Sequence, residues 1–219
     1  MQANIHSPSV TTRARIPMEQ DVEPSRTVVL VDDNPAVRES VSMLLKSVGL
    51  ETRAYHSPTV FLASPHEDAG CILLDVRMPE MSGIEVHRRL RDKGIETPII
   101  FLTGHGDVSM AVRSMRDGAF DFMEKPVEDQ NLIDRVLEAL THDAERRKNA
   151  ARRNDSASRI SRLTGREREI AQMIADGKSS REVAEVLSLS VRTVEGYRSR
   201  IMTKLEVDSV AQLVRALMQ

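Results

Sequence analysis

Five short runs, of which the second is the least apolar, recur between residues 27 and 123: TVVLV (27–31), ETRAY (51–55), CILLD (71–75), PIIFLT (98–103) and AFDFM (119–123). Between them apolar residues fall three and four apart, at Val37, Val41, Leu44, Leu45 and Val48, at Ile84, Val86 and Leu90, and at Val108, Ala111, Val112 and Met115. Unbroken aliphatic runs predict strands covered on both faces, and a period near 3.6 predicts helices. Parallel strands need a crossover between them, so this alternation points to a parallel sheet clothed by helices on both sides, an α/β architecture. A last helix of this unit is expected to start near Glu128. Aromatic residues make up only 3% of the chain, so its cores have to be aliphatic.

From Leu163 the strands stop. GREREIAQMIADG, SSREVAEVL, SVRTVEGYRSRIMTKL and DSVAQLVRALM each carry helical periodicity, with Ser or Asp as N-cap candidates and Gly177 as a C-cap candidate. These predict a small all-α domain of four helices. The 219 residues suit two domains. The expected organisation is a disordered leader over 1–25, an α/β domain over 26–140, a basic, partly helical linker over 141–160 and a helical domain over 161–219. Charge divides at the same place: 13 basic against 19 acidic residues lie between 26 and 140, but 16 against 11 after it. The basic half is therefore the candidate for nucleic acid. A lone cysteine, Cys71, excludes an intramolecular disulfide and a multi-cysteine metal site. With no membrane-length apolar run and no apolar signal segment, the expected location is the cytoplasm.

Ligands of open parallel sheets bind at the carboxyl ends of strands, near the point where strand order reverses. There this chain places Asp32 and Asp33 after the first run, Asp75 at the end of the third, Thr103 at the end of the fourth and Lys125-Pro126 just beyond the fifth. Each has a modest explanation alone. Asp32 and Asp33 precede Asn34-Pro35, a helix cap and first turn; Asp75 suits a turn, Thr103 a cap and Lys125 a surface. Adjacent carboxylates repel, however, and a cation relieves that repulsion. Together the groups suit phosphoryl transfer, with Asp75 as nucleophile, Asp32 and Asp33 for magnesium, and Thr103 and Lys125 for the phosphoryl oxygens. A magnesium-dependent phosphohydrolase would use the same set, but it leaves the helical domain without a purpose and lacks an obvious general acid.

VDDNPAVRE, LLDVRMPEMSGIE, IIFLTGHGD and FDFMEKP resemble, in order and spacing, the receiver domain of two-component response regulators, a flavodoxin-like five-stranded fold. The resemblance implies that Asp75 accepts phosphate from a sensor histidine kinase. It implies a Mg2+ site made of Asp32, Asp33, Asp75 and the backbone carbonyl of Arg77, phosphoryl contacts from Thr103 and Lys125, and a cis Lys125-Pro126 bond. It also implies a switch in which Thr103 moves and Phe122, where tyrosine is commoner, turns inward by packing alone.

In SVRTVEGYRSRIMTKL, Val194, Ile201 and Leu205 share one stripe, and Arg192, Gly196, Ser199, Arg200 and Thr203 face away from it. That suits a recognition helix in the major groove, and equally a protein-binding helix with a solvated basic face. The segment from LTGRERE to KLEV resembles the LuxR-type helix-turn-helix domain, and the pair of domains resembles the NarL/FixJ-type transcriptional regulators. The DNA-facing set then comprises Arg192, Thr193, Glu195, Gly196, Ser199, Arg200 and Lys204, with Glu195 and Tyr197 departing from commoner residues. The resemblance implies double-stranded promoter DNA and RNA polymerase as partners, no membrane, and a homodimer formed on phosphorylation. Met110, Arg113 and Ser114, set opposite the expected inward stripe of the fourth helix, are the candidate dimer contacts. A receiver acting as a phosphorylation-independent interaction module is the remaining alternative.

Overall fold

The computed structural model describes residues 25–65, 68–104 and 108–218. The expected leader lies outside the described residues except for Ser25. The first unit runs β1 (Thr27–Val31), α1 (Pro35–Ser47), β2 (Glu51–Tyr55), α2 (Pro58–Ala63), β3 (Cys71–Asp75), α3 (Gly83–Asp92), β4 (Ile99–Thr103), α4 (Val108–Arg116), β5 (Asp121–Glu124) and α5 (Asp129–Ser161). Four of the five strands lie where the apolar runs predict them. The fifth begins later, at Asp121, because Asp117 and Gly118 make the turn leaving α4 and Ala119 N–H still bonds back to Ser114 O.

All neighbouring strands are parallel in the order β2-β1-β3-β4-β5, so the order reverses between β1 and β3. Alternate residues of each strand feed opposite faces. Val28, Leu30, Leu73, Ile100 and Leu102 pack under α1 and α5 with Val41, Leu45, Leu132 and Val136. Val29, Val31, Ile72, Leu74 and Phe101 pack on the other face with Phe61, Val86 and Leu90. Local chemistry sets the helix starts. The Asn34 side chain accepts from the Ala36 N–H at 3.0 Å with Pro35 in the first turn, and Ser57 and Ser82 cap α2 and α3 in the same way.

The α4 helix departs from its predicted face. Ser114 is buried, Met110 and Ala111 are half-buried with Met110 packed against the second core cluster, and Val112 and Met115 are 46% and 44% exposed. The Val108 side chain lies outside the described set. The helix is thus turned so that Met110, Ala111 and Ser114 face inward, and Ser114 O accepts from Ala119 N–H at 3.0 Å in the turn that ends it. Ser114 is therefore corrected from a surface to an interior position and Met110 to a half-buried one, and of the three candidate dimer residues Arg113 is exposed.

The segment expected to be a partly helical linker is helical throughout, because α5 continues for 33 residues without a break. The second unit follows with α6 (Gly165–Ala175), α7 (Ser180–Leu187), α8 (Val191–Leu205) and α9 (Val210–Leu217). Thr164 with Glu167 and Ser179 with Glu182 form capping boxes at the starts of α6 and α7. Ser188 adopts the left-handed conformation at φ 52°, which ends α7 and lets Ser190 cap α8 after a three-residue turn. Leu163, Ile170, Ile174, Val183, Val194, Ile201, Leu205 and Leu213 form its core.

Candidate functional site

The first candidate site lies at the carboxyl edge of the sheet, beside the reversal of strand order. Asp32 follows β1 and is 1% exposed; its Oδ1 accepts from Asn34 N–H at 2.9 Å and its Oδ2 from Lys125 Nζ at 2.6 Å. Asp75 closes β3 at 6% exposed; its Oδ1 accepts from the same Lys125 Nζ at 2.7 Å and its Oδ2 from Arg77 N–H at 3.0 Å. One ammonium therefore bridges two carboxylates from neighbouring strands. The Lys125 N–H donates to Thr103 O at 2.7 Å, which holds its backbone against the end of β4, and the Lys125–Pro126 bond is cis. Thr103 is fully buried at the end of β4. Asp33 is exposed beside this pair, while Arg38 donates to the carbonyls of Asp32 and Asp33 at 2.7 and 2.9 Å and so holds the chain bend between β1 and α1.

Burial raises the Asp75 pKa, opposed by the Lys125 ammonium and reinforced by the charge of Asp32. Burial likewise works against the Lys125 ammonium, but its bonds to Asp32 and Asp75 outweigh that and leave its pKa raised. Asp75 is thus a desolvated, more basic carboxylate held in place by a permanent cation, which suits a nucleophile. The loop leaving it closes tightly. Gly83 N–H donates to Val76 O at 3.0 Å, and a Cβ at Gly83 would collide with the Asp75 carbonyl, so only glycine fits there.

The residues present fit a hard divalent cation. Each oxygen of Asp32 and Asp75 accepts one hydrogen bond and has a second lone pair, and Asp33 adds a solvent-facing carboxylate. Among the described residues no three His, Cys, Asp or Glu side chains form a ready cage. An ion that keeps most of its waters and takes one or two protein carboxylates needs none.

Phe122 on β5 is half-buried against the second core cluster, its ring 6.1 Å from Phe101, which in turn meets His87 edge-on at 5.7 Å. Sequence reasoning did not single out His87. Its burial in α3 at 4% exposed emerges only from the packing.

The second candidate site is the outer face of α8. Val194, Ile201 and Leu205 are buried, and Arg192, Thr193, Glu195, Gly196, Ser199, Arg200 and Thr203 are all exposed. The Arg200 guanidinium lies 4.6 Å over the Tyr197 ring, a cation–π contact that steadies an exposed side chain. A Cβ at Gly196 would meet nothing within 4 Å. Lys204 is a correction. Its Nζ donates to Glu167 Oε2 at 2.6 Å and to Arg162 O at 3.3 Å, so it ties α8 to the start of α6 and lies away from the outer face.

The response regulator receiver domain family matches residues 28–137, and the luxR family of bacterial regulatory proteins matches residues 161–217. The chain is a two-component response regulator. It is 41% identical over 192 residues to the transcriptional regulatory protein FixJ of Azorhizobium caulinodans, covering 87% of this chain and 91% of that protein. It is 40% identical over 190 residues to the tetrathionate response regulatory protein TtrR of Salmonella typhimurium, covering 86% and 90%. Among solved structures, the response regulator StyR superposes with a TM-score of 0.81 at 38% identity, covering 88% of this chain and 98% of that one. This response regulator therefore joins a receiver to a LuxR-type DNA-binding domain and is a transcriptional regulator rather than an enzyme in the usual sense. No helix among its described residues is long and apolar enough to cross a membrane.

Proposed function

We propose that this regulator is phosphorylated on Asp75 by a sensor histidine kinase, and that the phosphorylated receiver pairs with a second copy so that two α8 helices engage a promoter. The observation that carries it is the Asp75 carboxylate itself, desolvated, aimed by Arg77 N–H and bridged to Asp32 by Lys125 at the open edge of the sheet. In the transfer, an Asp75 oxygen forms a bond to phosphorus while the bond to the kinase imidazole nitrogen breaks, the electron pair leaving with the imidazole. Lys125 offsets charge on the phosphoryl oxygens, and Thr103, one strand further along, supplies a hydroxyl toward them. Asp32, Asp33, Asp75 and the Arg77 carbonyl would hold Mg2+, which supplies charge neutralisation on the phosphoryl group when bound.

At the other end, Arg192 and Arg200 would contact phosphate or guanine, Thr193, Glu195 and Ser199 would meet neighbouring groove atoms, and Gly196 would let the helix backbone approach closely. Lys204 has no part in that contact. The receiver surface proposed for pairing is the exposed side of α4, where Val112 and Met115 lie beside Arg113 and Arg116.

The experiment is labelling with a small phosphodonor and Mg2+ followed by DNA titration. Asp75 is expected to carry the phosphate, Asp75→Asn none, and DNA affinity is expected to rise on labelling. Phosphate mapped to another residue overturns the assignment. So does promoter affinity that ignores the phosphate on Asp75.

A further inference from the structure

The receiver match ends at residue 137 and the LuxR-type match begins at 161, yet α5 crosses the interval as a single helix with no glycine or proline. Both ends of the interval are bolted down. Asp143 is 1% exposed and takes the guanidinium groups of Arg146, at 2.6 Å, and Arg147. Arg147 donates onward to Ala69 O at 2.7 Å in the turn before β3, and Arg146 reaches Glu96 before β4 at 3.2 Å. A buried carboxylate forked between two guanidiniums is costly to break, so α5 cannot rotate freely against the amino edge of the sheet.

Sixteen residues on, Arg159 performs the same task at the DNA-binding domain. Its guanidinium is braced by Asp155 at 2.6 Å, donates to Leu205 O at 3.4 Å and pairs with Glu206 at 3.4 Å. Leu205 and Glu206 are the last residue and the C-cap of α8. Ile160 packs against the core of that domain, and Arg162 also reaches Glu206, at 3.6 Å. Residues 151–155 between the two anchors are all exposed.

We propose that α5 is a rigid rod that sets the rotational phase of the recognition helix relative to the receiver, with Asp143 and Arg159 as its positioning residues. The inference rests on the phosphorylation-coupled DNA binding proposed above. At about 1.5 Å and about 100° per residue, the anchors stand roughly 24 Å apart, and each added residue swings α8 by over a quarter turn. A receiver dimer can present two α8 helices to half-sites on one face of the duplex only if that phase is held.

The test inserts helix-forming residues between Arg153 and Asn154 in the full chain and compares phosphorylated with unphosphorylated affinity for a twofold site. Seven residues add about 700°, some 20° short of two turns, and are expected to preserve most of the phosphorylation response. Two residues add about 200° and are expected to lose the avidity gain, on the order of a hundredfold. Equal responses from both insertions overturn the rod in favour of a loose tether, and equal loss from both overturns phase in favour of length. Should the shorter insertion lose Asp75 labelling, replacing residues 150–154 with Gly and Ser at equal length decides the matter, because a rod loses the response and a tether keeps it. Arg159→Ala is expected to lower the response while Asp75 labelling stays intact. A wild-type chain with no response refutes the phosphorylation-coupled function itself, which separates that failure from failure of the rod.

Discussion

Arg200 and Lys204 stand one helical turn apart on α8, and their charges have opposite fates. Arg200 is exposed and rests on Tyr197, whereas Lys204 turns inward to Glu167, a residue 4% exposed within the capping box of α6. The bond from Lys204, with the Thr164 N–H after it, holds the Glu167 pKa down to about 2 against an ordinary 4.5. A carboxylate depressed on folding contributes its stability in full above the unfolded value and loses it as pH falls through the folded one. The contribution is therefore complete above about pH 4.5 and fades toward pH 2. Glu167→Gln is expected to lower stability by about 1 to 2 kcal/mol at neutral pH. Thermal melts of both proteins should converge as pH is lowered from 5 to about 2; a gap that stays constant with pH would show that charge is not what Glu167 contributes.

Among the elements, α8 and α4 show where periodicity decides a helix face and where it does not. In α8 the apolar residues form one stripe against charged and small ones, so a single orientation buries them and the outward set follows. Gly196 in the middle of that outward set costs helix stability with no packing inside the domain to require it. Gly196→Ala is expected to raise the melting temperature, with a gain of about 0.5 to 1 kcal/mol, while weakening DNA binding. Unchanged DNA affinity in that variant would remove the case for a close backbone approach. In α4 the apolar stripe of Val108, Ala111, Val112 and Met115 is not the inward face: Ser114 is buried, Met110 packs on the second core cluster, and Val112 and Met115 are exposed. Hydrophobicity alone favours that stripe for burial. The face that packs inward instead carries Ser114, at 3% exposed, and Met110 against the second core cluster.

For the molecule as a whole, the exposed side of α4 and the rod of α5 are the surfaces on which assembly would act. Val112→Glu adds a charge at a position already open to water, so the receiver is expected to fold and to label on Asp75. Sedimentation should then show the phosphodonor-dependent dimer lost. Met110→Glu would instead place a charge against the second core cluster and is expected to cost about 1 to 3 kcal/mol of receiver stability. Normal phospho-dimers in the Val112 variant would move the pairing surface elsewhere. The alternation of aliphatic runs with helical periods, the acids and lysine at strand ends, and the caps at Asn34, Ser179 and Ser190 are local signals, which is why fold class, sheet edge and the outward face of α8 were legible in the sequence. Which way α4 turns, that Lys204 pairs inward, that His87 is buried and that residues 141–160 form one helix pinned at Asp143 and Arg159 depend on partners far away in the chain. A charged helix with few large apolar residues carries too little local preference to distinguish rod from tether. The distant carbonyls of Ala69 and Leu205, brought within reach only by tertiary packing, make that choice.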